Sequence, residues 1–364
     1  MKIATLQFAP RLGDLEGNIR RANALLQDGK VVQGAGIGVG LDLLKPDVLI
    51  LPELALTGYN FPSLEAIRPF LEPAGHGPSA RWARETAARL QCKVCVGYPE
   101  IETDDKVPEG LSNGRETYYN SLLVVDAGGD IILNYRKSFL YYTDETWAAE
   151  GSTERGFHQL TFHNSGQNSL ESQVATSFGI CMDINPYKFE APFTAWEFAN
   201  RVLDSKSQLV ILSMAWLTLT EREELASLAG QPDMDTFNYW IQRFLPLIRK
   251  QMRHDANFDG DDSSRGKKIV VVFANRAGEE PGAEGKNPAR YAGTSTILAI
   301  TQKPTASTAS GDDVPRSDDS DDAEGAFDVK ILCWDMMGAT TEGICFADTT
   351  ADPSTVFGLV KAAR

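Results

Sequence analysis

Histidine, paired cysteine, basic charge and long apolar runs are all scarce in this chain, and each scarcity removes a class of function. The four histidines (His76, His158, His163, His254) in 364 residues mark no obvious catalytic turn, although a Cys–His pair need not be close in sequence. The five cysteines, at 92, 95, 181, 333 and 345, are odd in number and scattered. That spacing suits a reducing compartment better than a disulfide scaffold. Cys92-x-x-Cys95 has no second pair to complete a zinc site and does not open a helix as a redox motif does. No apolar run approaches the ~20 residues of a membrane span, and no basic segment leads into an apolar run and a cleavage site. A cytoplasmic protein is expected, with the nucleus as a second compartment. Lys and Arg total 35 against 50 Asp and Glu, a net charge of −15. Such a field repels nucleic acid and anionic membranes and favours cationic or neutral ligands.

What the chain does contain is a succession of short apolar runs separated by turns and helical patterns. Strands are read at Ile3–Phe8, Asp47–Leu51, Lys93–Gly97, Ser121–Asp126, Ile131–Asn134, Gln173–Ile180, Leu209–Met214, Lys268–Asn275 and Thr294–Ile300. Helical spacing runs through Asp14–Gln27, Ser79–Leu90, Ala191–Leu203 and Asp235–Arg253, the last interrupted by Pro246. Strands alternating with helices predict an α/β fold. With no clean linker, residues 1–364 are read as one domain carrying two inserted segments. Residues 220–267 form a helical insertion. Residues 304–325 form an acidic, disordered one, with seven acids against Arg316 between Gly311 and Gly325. The glycine-rich Gly34–Gly40 does not follow a strand in a βαβ unit, so a turn suits it better than a phosphate site.

The chemistry concentrates at strand ends. Cys181 follows the run Gln173–Ile180 and precedes a polar turn closed by Pro186. A thiol placed there can attack a carbonyl carbon while the next N–H groups receive the oxyanion. A small buried core thiol is the competing reading. Glu53 follows the run Val48–Leu51, the edge where open α/β sheets place ligands, and a desolvated carboxylate there can serve as general base. Lys137, after Ile131–Asn134, supplies a cation for an oxyanion or is simply solvated. Glu145, eight residues further along the same loop, is placed to return to the same pocket.

The order Glu53, Lys137, Cys181 resembles the carbon–nitrogen hydrolase (nitrilase) superfamily. The likeness extends through Lys2–Phe8, Leu51–Tyr59 with Thr57-Gly58-Tyr59, Tyr135–Ser138, Ala274-Asn275-Arg276 and Gly293-Thr294-Ser295. Gly179–Phe193 and Tyr142–Trp147 are most similar to a fungal branch that deamidates N-terminal Asn and Gln of proteins to Asp and Glu, feeding the N-degron route. The resemblance implies a four-layer α-β-β-α sandwich. It also implies Glu53 as base, Lys137 with the Met182 N–H as oxyanion donors, Cys181 as nucleophile and Glu145 as the orienting second glutamate. No metal or organic cofactor is then needed, because thiol, base and hole suffice. Partners are proteins or peptides beginning with Asn or Gln, together with the N-degron machinery. A terminal ammonium needs a carboxylate reader, and Asp183, Asp144 and Glu342 are the candidates; Tyr59, Asn185 and Trp216 are candidates for the side-chain pocket. Two alternatives stay open. One is an amidase, carbamoylase or nitrilase acting on a small molecule, with Arg276 as a possible carboxylate reader. The other is a non-catalytic binding module.

Overall fold

The computed structural model describes residues 1–31, 38–104, 115–163, 171–228, 230–254, 266–282, 285, 287–305 and 327–358. Two seven-stranded sheets hold thirteen longer strands, β1 Lys2–Gln7, β2 Val48–Ile50, β3 Lys93–Asp104, β4 Arg115–Val125, β5 Ile131–Arg136, β6 Phe157–His163, β7 Glu171–Ile180, β8 Leu209–Ser213, β9 Lys267–Ala274, β10 Thr296–Pro304, β11 Phe327–Met336, β12 Gly343–Asp348 and β13 Thr355–Gly358, and the two-residue strand Glu72–Pro73, which pairs with β3. The first sheet runs β12-β1-β2-β3-β4-β5, and the second β13-β11-β10-β9-β8-β7-β6. Each has a parallel trio at its centre, β1-β2-β3 and β7-β8-β9, flanked by antiparallel strands.

Strand alternation assigns the layers. In the first sheet Ile3, Val48, Ile50, Cys95, Leu122 and Val124 share one core with the second sheet's Leu160, Val174, Phe178, Leu209 and Ile211. The intervening Ala4, Leu6, Leu49, Val94, Val96, Leu123 and Val125 face a separate core with residues of helices Leu15–Asp28 and Pro78–Leu90. On the far side of the second sheet lie helices Glu197–Asp204, Met234–Arg243 and Leu245–Arg249: Phe198 packs beside Leu212 over Gly179, and Trp240 stacks on Phe273 at 4.8 Å. The result is an α-β-β-α sandwich. No helix among the described residues is long and apolar enough to cross a membrane.

Local sequence explains the element ends. Asp14 caps its helix by accepting from the Gly17 N–H, and Gly29 ends it at φ 70°. The pattern over Asp235–Arg253 yields two helices, because Pro246 cannot continue the first hydrogen-bond ladder and Phe244 breaks it. The helix expected over Ala191–Leu203 starts only at Glu197; Pro192 and a left-handed Trp196 (φ 42°) confine the preceding residues to a 3₁₀ turn. Strands β6, β11, β12 and β13 were not anticipated: in β11 the short apolar run Ile331–Trp334 sits among Asp328, Lys330 and Asp335 in a half-exposed pattern. The helical insertion is described in part; most of the acidic segment 304–325, and residues 34–37 of the glycine-rich stretch, lie outside the described residues.

The sheets are tied together where the strands end. Ser213 Oγ donates to the Leu51 carbonyl at 2.9 Å, and the Glu53 N–H to the Met214 carbonyl at 3.4 Å. Gly97 lets the segment that carries Glu53 lie against β3, since a Cβ there would lie 2.7 Å from Leu54 N and 2.9 Å from Glu53 Cα. These are backbone atoms that cannot rotate away. Gly97→Ala is therefore expected to cost about 1–3 kcal/mol, read as a lower urea midpoint, and to reduce activity by displacing Glu53.

Candidate active site

Four strand ends converge between the sheets. Glu53 follows β2, Lys137 follows β5, Cys181 follows β7 and Ala215 follows β8. Glu53 and Lys137 are fully buried, and Cys181 is 8% exposed. The Lys137 ammonium donates to Glu53 Oε1 and to Asp144 Oδ2, each at 2.6 Å. Asn120, on β4, clamps the same two carboxylates, its Nδ2 lying 2.7 Å from Glu53 Oε1 and 3.0 Å from Asp144 Oδ1. Glu53 Oε2 accepts the Ala215 N–H at 2.9 Å. Asp144 Oδ2 also accepts the Tyr141 N–H at 3.0 Å and the Tyr59 hydroxyl at 3.3 Å. The Tyr59 ring faces the ammonium at 5.6 Å, within cation–π range.

The second acid of this cluster is Asp144, not Glu145. Both lie in the 3₁₀ turn Asp144–Thr146, whose register turns Asp144 into the buried cluster and leaves Glu145 exposed. Asp144 was expected among the ammonium readers; instead it holds Lys137. Asp183 was expected to read an ammonium as well, yet its carboxylate is consumed by backbone. It accepts the N–H groups of Ile180 (2.7 Å), Ser138 (3.0 Å) and Phe139 (2.8 Å) and the Tyr135 hydroxyl (2.7 Å). It thereby ties the cysteine turn to the lysine loop. Glu342 lies elsewhere, accepting the Ala9 N–H at 2.8 Å and pairing with Arg21. Arg276 is buried against Glu280 (2.6 Å) and stacked on Tyr291, and it does not line the cavity at Cys181.

Cys181 itself adopts φ 40°, a left-handed conformation uncommon outside glycine, at the start of the turn Cys181–Ile184. That conformation turns the chain sharply out of β7. The residue lines a cavity of about 630 Å³ with Tyr59, Met182, Asn185 and Trp216, all expected from the sequence. Tyr141, Phe189 and Tyr239 line it too and were not expected. Tyr239 donates to Asn185 Oδ1 at 2.7 Å. The remaining four cysteines are free and buried, Cys92 and Cys95 included.

Burial sets the proton affinities. It pushes the Cys181 thiol well above its ordinary range, and the Glu53 charge adds to this while Lys137 opposes it. Burial also raises Glu53, against the pull of Lys137. For Lys137 burial favours loss of the proton, but Asp144 and Glu53 outweigh it and keep the ammonium charged. An ammonium has three N–H groups. Two are directed at carboxylates, which leaves one for a substrate oxygen. This is the equipment for acyl transfer: thiol, carboxylate base and cationic oxyanion donor.

Comparison with known proteins agrees with this geometry. The carbon–nitrogen hydrolase family model matches residues 2–185. The chain belongs to this family. A protein N-terminal amidase of Schizosaccharomyces pombe is 33% identical to this hydrolase over 316 residues, covering 83% of this chain and 92% of that one. One of Saccharomyces cerevisiae is 30% identical over 311 residues, covering 68% of this chain and 64% of that one. A crystal structure of an N-terminal amidase with a cysteine-to-serine substitution aligns with a TM-score of 0.67 at 25% identity, covering 95% of this chain and 96% of that one. Another, bound to an Asn-Glu-Ala peptide, aligns with a TM-score of 0.68 at 23% identity, covering 99% of each chain, and shares the fold. Membership makes this chain a hydrolase of carbon–nitrogen bonds other than peptide bonds.

The buried position of Asp144 predicts that Asp144→Asn lowers kcat on the order of 10²-fold, whereas Glu145→Gln stays within about twofold, both read as ammonia release. Because Glu53 must be ionised to act and burial raises its pKa, the acid limb of kcat/KM is expected to fall at a pH above 4.5, its ordinary value. No alkaline limb should come from Lys137 below its ordinary 10.5.

Proposed function

We propose that this hydrolase is a protein N-terminal amidase. It removes the side-chain amide of N-terminal Asn and Gln, leaving Asp and Glu and releasing ammonia. The observation that carries the choice of substrate is the charge of the cavity at Cys181. Its described lining includes Glu224, Asp233 and Asp235 and no lysine or arginine. Such a wall suits a terminal ammonium and disfavours the α-carboxylate of a free amino acid. The kinship with N-terminal amidases supports the same reading. Product termini of this kind feed the N-degron route, whose machinery is the natural partner. Five unpaired cysteines support a reducing compartment, the cytoplasm and nucleus.

The reaction divides between the residues of the cluster. Glu53 takes the thiol proton as Cys181 Sγ bonds to the amide carbon. The third N–H of Lys137 and the Met182 N–H stabilise the tetrahedral oxyanion, each donor contributing about 10²–10³ in rate. Glu53 returns its proton to the amide nitrogen, ammonia leaves, and a thioester remains. Water then attacks the thioester, Glu53 accepts a water proton and passes it to the departing thiolate, and the carboxyl product is freed. Burial, with the Glu53 charge added to it, disfavours a thiolate standing free in the cluster. Proton transfer is therefore expected to accompany attack rather than precede it.

Incubation with an Asn-initiated peptide should raise the peptide's mass by about one dalton and, in rapid quench, trap a thioester on the protein; Cys181→Ala should abolish both. An acetyl-Asn peptide and free asparagine should be poor substrates. The Asn-peptide rate should decline above about pH 8 as the α-amino group loses its proton. Equal rates on the acetylated peptide would overturn the N-terminal reading, and faster turnover of free asparagine would favour a small-molecule amidase.

A further inference from the structure

Two segments that carry the family likeness, Thr57-Gly58-Tyr59 and Ala274-Asn275-Arg276, take no part in the reaction steps above, yet the structure joins them at one buried carboxylate. Glu280, four residues past Arg276, is 1% exposed. Its Oε1 accepts from Arg276 Nη2 at 2.6 Å, and its Oε2 accepts from the Tyr291 hydroxyl. Both oxygens accept the Tyr59 N–H, at 3.1 and 3.2 Å, and Oε2 also accepts the Asn60 N–H at 2.8 Å. A buried carboxylate keeps its charge only where such donors surround it. Here they are one guanidinium, one phenol and two backbone N–H groups of the loop that follows Glu53.

The loop is shaped to receive that carboxylate. Gly58 sits at φ 85°, and a Cβ there would lie 2.6 Å from Glu280 Oε1 and 2.8 Å from Leu12 Cα, so only glycine allows the close approach. Arg276 is held in its turn, over the Tyr291 ring at 4.2 Å and with Nη2 on the Pro10 carbonyl at 3.1 Å. The backbone fixed in this way carries the Tyr59 side chain. Its hydroxyl donates to Asp144 Oδ2, the oxygen that also holds Lys137, and its ring faces the ammonium. Burial, then the Asp144 and Glu53 charges, push the phenol's proton affinity up, so it stays a donor. A donor on that oxygen moderates the pull of Asp144 on Lys137 without adding charge to the cluster.

We infer that Glu280 is a positioning residue for the hydrolysis: from the loop after β9 it fixes the backbone of Tyr59, and through the Tyr59 hydroxyl it governs how Asp144 holds the Lys137 ammonium. Glu280 does not line the cavity at Cys181, so its effect on turnover passes through Tyr59 and not through contact with substrate. The same arrangement explains why a residue of the second sheet's loop bears on a lysine of the first. Small displacements of such supports are costly in rate, because the oxyanion donor must already point where charge develops.

The inference rests on the amidase reading only for its assay substrate. The test is a double-mutant cycle in kcat for ammonia release from an Asn-initiated peptide, with Tyr59→Phe, Glu280→Gln and the two combined. Each rate is expressed per mole of protein in the cooperative thermal transition, which removes misfolded chains from the comparison. Tyr59→Phe should lower kcat about tenfold, the effect of one hydrogen bond to a charged group. Glu280→Gln alone should lower it about tenfold with KM within about twofold, yet less than about threefold in the Tyr59→Phe background. Equal factors in the two backgrounds, or a loss confined to KM, would overturn the inference. If Glu280→Gln shows no thermal transition, Gly58→Ala replaces it in the cycle, since its Cβ meets the same carboxylate from the loop side, and the same two outcomes decide. Alkylation of Cys181 by iodoacetamide, which needs no peptide, should show the same non-additivity in its rate. No ammonia from the unaltered protein with non-additive alkylation would overturn the amidase reading and support the role of Glu280. Ammonia release with additive losses would overturn the role of Glu280 and leave the amidase reading intact.

Discussion

A lysine ammonium with no exposed surface must be surrounded by acceptors, and the arrangement around Lys137 follows from that requirement. Desolvation would strip the proton from an isolated buried lysine. Glu53 and Asp144 prevent this, and Asn120 holds the two carboxylates side by side. The acid from the first sheet, the lysine loop and the following 3₁₀ turn are thus fastened at one point. Removing either carboxylate leaves a buried group short of a partner, a change that costs several kcal/mol in comparable settings.

Asp183 completes the framework from the other sheet. Four donors hold its carboxylate, three of them backbone N–H groups, and they span the residue before the nucleophile and the two after Lys137. Burial raises its proton affinity and those donors oppose the rise. The distance between the lysine loop and the cysteine turn is therefore governed by hydrogen bonds, not by loop stiffness. The positive φ of Cys181 is the cost of bringing the sulfur out of the strand direction and into the cavity.

Much of this was legible in the chain because strand termini are legible. Glu53, Lys137 and Cys181 each follow a short apolar run, and the two-layer alternation in the first sheet is written in residues such as Leu49 and Ile50, which face different cores. The confusion of Glu145 with Asp144 has a different origin. In a single turn of 3₁₀ helix, one residue of register decides which acid is buried, and adjacent acids carry no periodic signal to fix it. Asp183 was misread because proximity in sequence to the nucleophile says nothing of which side of the turn a carboxylate faces. Asn120 was overlooked, although a lone amide opening the run Ser121–Val125 is the kind of interruption that deserves a search for partners. The Glu280 carboxylate unites residues 59–60 with residue 280, and only the packing of the sheets brings those segments together.

The chemical groups are divided between the sheets: base and lysine hang from the first, thiol and the Ala215 N–H from the second. Neither half of the chain owns a partial active site that could act alone. A chain with one sheet formed and the other loose would display a carboxylate–ammonium pair without a sulfur to activate, or a thiol without a base. An immature or partly unfolded molecule is thereby silent toward amides in its surroundings. Turnover becomes a signal of docked sheets, and its loss should track the cooperative separation of the two layers and not the fraying of any one strand.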